Sequence, residues 1–321
     1  MAHKAPGKHK REGISLAALF RKFTDVETAE QWFAQQRWGG EPVCPLCGSL
    51  NVQSGAKHKS QPYRCREKEC AKRFSVKTGT AMAASNLDCQ IWAIAIYLVT
   101  TNIKGVSSMK LHRDLEITQK SAWHLAHRIR TTWTLEQRDA LAGPVEVDEA
   151  FFGGKEGNKH ESKKQRLGRG TVGKTPVVGV KDRATKEVRA QVTGMKHSEL
   201  RGFVERHAGG AMVYSDEAKA YEGLLRHEAV AHGVGEYVRG KAHINGMESF
   251  WALMKRGFHG IYHKMSPKHL DRYVGEFAGR NNQRELNTNE QMAHVARGLQ
   301  GKRLRYIDLI ADNGLESGAR A

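Results

Sequence analysis

Four cysteines in two close pairs constrain the fold of this 321-residue chain more than any other feature. They occur as Cys44-x2-Cys47 and Cys65-x4-Cys70. In a reducing compartment, pairs at this spacing are more often metal ligands than disulfides. Four thiolates match the tetrahedral preference of Zn2+, and a β-hairpin can hold two such pairs around one ion. The pattern predicts a zinc ribbon over residues 41–80 with a structural Zn2+, the alternative being four unrelated buried thiols.

Helical patterns flank the predicted ribbon on both sides. Residues 1–40 combine a basic tail with apolar residues at helical spacing, and a break near Asp25 predicts two short helices. Residues 88–140 are rich in Ala, Leu, Ile and Trp with almost no Gly or Pro, which predicts a helical region. The fifth cysteine, Cys89, belongs to this apolar pattern and is predicted to be a core residue and not a ligand.

The segment 106–130 predicts a helix-turn-helix within this helical region. Ser107 and Thr118 are suited to begin its two helices, because their hydroxyls can accept a hydrogen bond from an unpaired backbone N–H. The second helix gathers its apolar residues on one face and leaves a polar face for a DNA major groove. The predicted DNA contacts on that face are Lys120, His124 and Arg128. A plain helical hairpin fits the same pattern.

The charge of the chain favours a polyanionic partner. There are 52 Lys and Arg against 34 Asp and Glu, which leaves a formal charge of +18. Such a charge promotes fast, salt-sensitive association with nucleic acid. The longest apolar run, Ile91–Val99, is about half of the roughly 20 residues that a membrane span requires. We therefore expect a cytoplasmic, nucleoid-associated protein that binds double-stranded DNA and no membrane.

The second half of the chain predicts a mixed α/β domain. Short β-branched runs predict strands at about 144–152, 175–180, 187–193 and 211–214. Apolar residues at helical spacing predict helices at about 197–207, 217–227, 244–256 and 267–284. The alternation of the two element types places a sheet and its helices in one domain.

Two aspartates of this domain stand in unusual positions. Asp148 alternates with Val145 and Val147, so it lies on the opposite face of the same strand. A carboxylate there is costly unless something holds it. Asp216 follows an apolar strand where a helix is predicted to start, and the position of a plain helix N-cap fits it as well.

Glu248 is the third candidate carboxylate and lies on a predicted helix. Asn245 three residues before it and Lys255 seven after it share its face. Two strand-end aspartates and one helical glutamate can hold two Mg2+ about 4 Å apart, as phosphoryl transfer requires. Lys255 and the adjacent Arg256 are predicted to contact phosphates near the reacting bond, although solvated surface charges are an equal explanation.

These motifs together resemble the DDE transposases of a bacterial insertion-sequence family related to the eukaryotic Merlin elements. The resemblance extends to the approach to the first cysteine pair and to the helix-turn-helix, so it covers nearly the whole chain. Its most specific motifs are Val147-Asp148-Glu149 with Phe152-Gly153-Gly154, Tyr214-Ser215-Asp216 with Ala220-Tyr221, and His243-Ile244-Asn245 with Glu248, Trp251, Lys255 and Gly260-Ile261-Tyr262.

The resemblance implies a ribonuclease-H-like catalytic domain over residues 143–285 and a C-terminal tail over 286–321. It places Asp148 on the first strand, Asp216 on the fourth and Glu248 on a following helix. These three carboxylates would ligate Mg2+, with two ions expected and Mn2+ able to replace them. The whole chain is then a multidomain α/β protein with a zinc ribbon and a helix-turn-helix before its catalytic domain.

One position in the implied site is ambiguous. Some members of the family place Asn at the third metal position, and this chain offers both Asn245 and Glu248. We favour Glu248, because a charged oxygen holds Mg2+ better than an amide and its interval to Lys255 matches that of related transposases. Asn245, together with His243, would then orient the ligands or the substrate.

The resemblance implies a DNA transposase of an insertion sequence. Such an enzyme binds transposon ends and catalyses Mg2+-dependent strand cleavage and strand transfer, and we expect it to act as a homo-oligomer on DNA. Two alternatives remain at this stage. One is a ribonuclease-H-like nuclease or resolvase that cleaves without joining, and the other is a zinc-ribbon regulator that binds DNA and cleaves nothing.

Overall fold

A computed structural model of the chain describes residues 12–58, 60–134, 139–154, 157, 160–164, 170–216, 219–221, 223–230 and 244–315. The chain divides into two compact units, the first comprising residues 1–132 and 283–311 and the second 133–282 and 312–321. Both helices and sheets are present, so the predicted multidomain α/β class is confirmed. None of the helices in the described ranges has the length and apolar character that a membrane crossing requires.

The first unit begins with two helices, α1 (Leu16–Lys22) and α2 (Val26–Trp38). The predicted break falls at Asp25, whose carboxylate accepts a hydrogen bond from the backbone N–H of Thr28 at 2.7 Å and starts α2. A carboxylate at this position satisfies one of the unpaired N–H groups of the first turn. Most of the predicted basic tail, residues 1–11, lies outside the described residues.

The cysteine region folds as a small antiparallel sheet of three strands. These are β1 (Val52–Gln53), β2 (Tyr63–Cys65) and β3 (Arg73–Phe74), in the order β1-β2-β3. Its apolar side is covered by Trp38 from α2, whose ring lies 5.0 Å from that of Tyr63. The last turn of α2 therefore packs against the sheet that carries the cysteine pairs.

Three helices follow, α3 (Cys89–Thr101), α4 (Ser108–Asp114) and α5 (Gln119–Arg130). Cys89 is buried at the start of α3, as predicted. The predicted caps of α4 and α5 are also confirmed, because the hydroxyls of Ser107 and Thr118 accept from backbone N–H groups at 3.1 and 3.2 Å.

The chain returns to the first unit near its C-terminus. Helix α9 (Thr288–Gly298) packs against α2 and α3, and the short helix α10 (Tyr306–Ile310) follows. These helices replace the predicted C-terminal tail. The cause is visible in α9, where Met292 and Val295 are completely buried and Asn287 and Glu290 form a reciprocal capping box.

The second unit is built on one five-stranded sheet. Its strands are β4 (Val145–Phe152), β5 (Thr175–Asp182), β6 (Val188–Val192), β7 (Val213–Asp216) and β8 (His227–Val230), in the order β6-β5-β4-β7-β8. β5 is antiparallel to β4 and to β6, whereas β7 pairs parallel with both β4 and β8. The helix predicted at 217–227 is wrong: residues 219–221 form a 3-10 turn and a strand begins at His227.

Helices cover both faces of this sheet. Helix α6 (His197–Ala208) packs with Val145 and Val147 on one face. Helices α7 (Asn245–Gly257) and α8 (Pro267–Asn282) pack with Ala150 and Phe152 on the other. Because side chains alternate along a strand, Asp148 lies on the face of α7 and α8. The strand alternation predicted for Asp148 is therefore confirmed.

Candidate active site and candidate metal centre

Asp148 and Asp216 lie level with each other on neighbouring parallel strands. β4 and β7 pair at Glu146 and Tyr214, and each aspartate follows two residues later on its own strand. Residues two apart on a strand share a face, and adjacent strands lie about 4.8 Å apart. The fold therefore brings two carboxylates that are 68 positions apart in the sequence to one edge of one sheet face.

Helix α7 presents Glu248 at the same sheet face. Met247 and Trp251 are buried against the sheet, whereas Glu248 is exposed. Asn245 and Lys255 are exposed as well. Their spacing from Glu248 places these three polar side chains along one line of the helix. That line is open to solvent and hence accessible to a large substrate.

The charges of neighbouring acidic groups contribute to the pKa of Asp148. Burial raises the pKa of Asp148 to about 7, and the charges of Asp216, Glu149 and Glu248 act in the same direction. Like charges shift a carboxyl pKa in this way when they lie within about 4–6 Å or share a poorly solvated region. Asp216 and Glu248 therefore both lie within electrostatic reach of Asp148.

Glu149 occupies the opposite face of β4 and is tied to the segment after β7. Its Oε1 accepts a hydrogen bond from the hydroxyl of Tyr221, in the 3-10 turn that follows Asp216. Burial raises the pKa of Glu149, although the hydrogen bond from Tyr221 favours the ionised form. This contact fixes the end of β7 against β4, next to the two aspartates.

The acidic groups of the described residues do not converge on one point as the cysteines do. Across the described ranges, the one set of Cys, His, Asp or Glu ligands that lies close enough for a single ion is the cysteine cluster. Carboxylates around two ions about 4 Å apart are separated further, because the outer ligands contact different ions.

The four cysteines meet in the first unit. Cys44, Cys47, Cys65 and Cys70 place their sulfurs within 4.8 Å of one another and could hold a metal ion. The Sγ atoms of Cys44 and Cys70 are 3.8 Å apart, and those of Cys47 and Cys65 are 3.6 Å apart. A tetrahedron with Zn–S bonds of about 2.3 Å has S–S edges of about 3.8 Å. The observed separations therefore suit Zn2+ and are too long for disulfides.

Backbone N–H groups prepare one of these sulfurs for a cation. Burial acts to raise the pKa of Cys44, but the N–H groups of Leu46 and Cys47, together with the thiols of Cys47 and Cys70, lower the pKa to about 7. Such N–H groups stabilise the thiolate, which is the form that binds metal. Burial raises the pKa of Cys65, so a thiolate there depends on a nearby positive charge.

The polar face of α5 packs against the C-terminal segment. The guanidinium of Arg128 donates to the carbonyl oxygens of Leu304 and Ala83, each at 3.1 Å, and only 8% of the residue is exposed. His124 Nε2 lies 3.0 Å from the same Leu304 oxygen. Lys120 lies over the ring of Tyr306, 4.3 Å from its centroid, and is otherwise exposed. These contacts were not expected from the sequence, and the DNA contacts of the three residues stay a prediction.

Of the remaining predicted residues, two are exposed and one lies outside the described residues. Lys255 and Arg256 are exposed at the end of α7, on the helix that carries Glu248. His243 lies outside the described residues.

Glu146 and Arg183 were not singled out by the sequence, yet Glu146 contacts the start of α7 and Arg183 contacts Glu146. Glu146 accepts from the backbone of Met247 and from the side chain of Arg183. Its signal was present in the alternation of β4, where Glu146 lies between Val145 and Val147 and shares a face with Asp148.

Two comparisons with known proteins relate this chain to transposable elements. A family model described as the ISXO2-like transposase domain matches residues 140–282, which include the five-stranded sheet together with α6, α7 and α8. The chain is also 30% identical over 254 residues to an uncharacterized protein in transposable element ISH50 of Halobacterium salinarum. That alignment covers 74% of this chain and 84% of the archaeal protein.

Proposed function

Because this chain belongs to the insertion-sequence DDE transposases of the ISXO2-like group, we propose that it cuts and rejoins DNA at the ends of an insertion sequence. The observation that supports the proposal most is the position of Asp148 level with Asp216 on neighbouring parallel strands. In agreement with it, burial and the charges of Asp216, Glu149 and Glu248 raise the pKa of Asp148 to about 7. Placing other carboxylates next to a largely buried one is unfavourable unless cations balance them. These carboxylates lie inside the segment that matches the transposase domain, which supports a catalytic role for them.

In the proposed reaction, Asp148, Asp216 and Glu248 hold two Mg2+, which Mn2+ can replace. The cations activate the attacking oxygen and stabilise the leaving one, first when water cuts the transposon end and then when the new 3′-hydroxyl attacks target DNA. Asn245, beside Glu248 at the start of α7, orients the ligands. Lys255 and Arg256 bind phosphates next to the bond that reacts.

The cysteine cluster holds a structural Zn2+ in this proposal. Zn2+ bound by four thiolates has no open position for a substrate, so its contribution is to the folding of the ribbon. The ribbon has a small core: among its described residues the buried apolar cluster is Cys44, Cys65 and Phe74, with partly buried side chains such as Tyr63 packed against it. The bound ion would therefore supply much of the free energy that keeps it folded.

The ribbon also offers a surface for the DNA backbone. Arg64 and Arg73 are directly opposite each other on β2 and β3, and both side chains are exposed. Like charges in this cross-strand position destabilise a sheet unless an anion lies between them. Lys72 and Arg66, which flank this pair in the sequence, are exposed as well. We assign this basic face to phosphate binding on double-stranded DNA.

Replacing Arg64 and Arg73 with alanine should weaken DNA binding at low salt and reduce its salt dependence. Each phosphate contact contributes about 0.9 to the slope of log K against log salt, so the double variant should lose between one and two from that slope. Fluorescence anisotropy with a labelled duplex across a salt series measures it. Lys57→Ala is the matched control, because it removes an exposed ribbon cation away from the pair. An equal change in slope for the control would contradict the assignment.

The proposed function is tested with the full chain and a labelled duplex that carries the inverted repeats flanking its reading frame. We expect Mg2+-dependent cleavage at the repeat ends and, with precut ends and a target plasmid, joined products. Cleavage without joining would instead identify a nuclease or resolvase. Specific binding without cleavage in Mg2+ or Mn2+ would identify a regulator. Two ends must be held together for transposition, so we also propose a homo-oligomer on DNA.

A further inference from the structure

Helix α7, which carries Glu248, has no side-chain cap of its own. The residue at its N-cap position is Ile244, whose side chain cannot accept a hydrogen bond. The first turn of a helix leaves backbone N–H groups unpaired, and burying one without a partner costs about 1–3 kcal/mol. A partner from elsewhere in the fold is therefore required.

Glu146 on β4 provides that partner. Its Oε2 accepts from the backbone N–H of Met247 in the first turn of α7 at 3.0 Å. Its Oε1 accepts from Nε of Arg183 at 3.1 Å, and only 4% of the Glu146 side chain is exposed. A buried carboxylate at the positive end of a helix dipole, paired with a guanidinium, holds its position strongly.

A second contact fixes the same turn of α7. Lys181 is the cross-strand neighbour of Glu146 on β5, and its Nζ donates to the carbonyl oxygen of Gly246 at 2.9 Å. Glu146 on β4 and Lys181 on β5 thus hold the start of α7. They contact the N–H of Met247 and the carbonyl oxygen of the preceding residue, Gly246. Gly246 permits this approach, because a Cβ there would lie 2.5 Å from Oε2 of Glu146.

Strand β5, on which α7 packs, also allows this helix to approach closely. Gly179 is the cross-strand neighbour of Asp148. A Cβ at Gly179 would lie 2.5 Å from the terminal methyl carbon of Met247 and 2.9 Å from the indole of Trp251. Helix α7 therefore rests directly on the backbone of β5, beside Asp148, and leaves little room to shift.

We propose that Glu146 is a positioning residue that sets the distance between Asp148 and Glu248. Glu146 and Asp148 are two residues apart on one strand face, about 7 Å along the strand. Met247, which Glu146 holds, directly precedes Glu248. One rigid side chain thus links the strand of the first carboxylate to the helix of the third. The inference rests on the proposed function, since it gives Glu146 a task in cation binding.

The test compares Glu146→Gln and Glu146→Ala in the full chain by two methods that do not depend on cleavage. Hydrogen exchange in the metal-free protein should show the N–H of Met247 exchanging at least about tenfold faster in Glu146→Ala, because its acceptor is gone. Mn2+ titration followed by electron paramagnetic resonance should show about 10–100-fold weaker binding at the carboxylate site, the usual effect of losing a residue that orients metal ligands. Glu146→Gln keeps an acceptor of the same shape and should show a smaller change in both.

Asp182→Asn is the matched control for a general loss of stability. Asp182 is 1% exposed, belongs to the same unit and accepts from the backbone N–H groups of Ala184 and Thr185 in the turn after β5. This variant should unfold at a lower temperature and leave Mn2+ binding unchanged. Since Gln preserves the volume of Glu, Glu146→Gln reports on the contact even where Glu146→Ala folds poorly.

Two results would overturn the inference. One is unchanged Mn2+ binding in both Glu146 variants, and the other is an equal loss of Mn2+ binding in Asp182→Asn. A parallel cleavage assay separates the two proposals. If the wild-type chain binds Mn2+ and the Glu146 variants bind it more weakly, but the wild type cleaves no DNA, the proposed function fails while the positioning role stands.

Discussion

Asp148→Asn should abolish DNA cleavage and strand transfer while DNA binding persists. The charges of Asp216 and Glu248 both act on Asp148, which is a Mg2+ ligand in the proposed site. An amide holds Mg2+ poorly, and we expect the cleavage rate to fall at least about 10^3-fold, or about 4 kcal/mol in the activation free energy. Single-turnover cleavage of a labelled end, with anisotropy for binding, measures both effects.

The stability of Asp148→Asn provides an independent control on folding. The pKa of Asp148 in the folded, metal-free chain is raised from 3.8 to about 7. Ionising Asp148 therefore lowers the free energy of unfolding, and this loss of stability is absent below about pH 4 and complete above about pH 7. The variant lacks this cost and should be more stable than the wild type above pH 7, by on the order of 2 kcal/mol. Adding Mg2+ should stabilise the wild type and leave the variant unchanged. Retained Mg2+-dependent nicking by the variant would remove Asp148 from the mechanism.

Cys65→Ser should release the Zn2+ of the ribbon and unfold it. Cys65 is 1% exposed and belongs to the cluster of four sulfurs and to the small apolar core of the ribbon. Apparent binding free energies of structural Zn2+ reach about 10–16 kcal/mol in zinc-finger peptides, which exceeds what so small a core contributes. We expect one equivalent of zinc per wild-type chain by elemental analysis, much less in the variant, and protease cleavage within residues 41–80 only in the variant or after chelation.

Cys89→Ser is the matched control for this prediction. Cys89 is also buried, but it lies in α3 outside the sulfur cluster. The control should keep its zinc and its protease resistance. If Cys65→Ser binds as much zinc as the wild type, the four-cysteine site is wrong.

The sequence determined the features that depend on short intervals along the chain. The spacing within the two cysteine pairs predicted a cluster of four sulfurs, because a short knuckle leaves little freedom to its two ligands. The hydroxyls of Ser107 and Thr118 predicted the starts of α4 and α5, since capping is a contact with residues two or three positions further on. Alternation along β4 likewise placed Asp148 on the other face of the strand from Val145 and Val147.

The tertiary structure decided the features that depend on a partner distant in the chain. Residues 227–230 form a strand because β7 offers them a parallel edge, and no local pattern contains that edge. Arg128 lies against the carbonyl of Leu304, 176 positions away, and not on an open face of α5. Glu146 caps a helix that begins 99 residues later. Local propensities differ by about 1 kcal/mol or less per residue, so pairing and burial against distant elements override them.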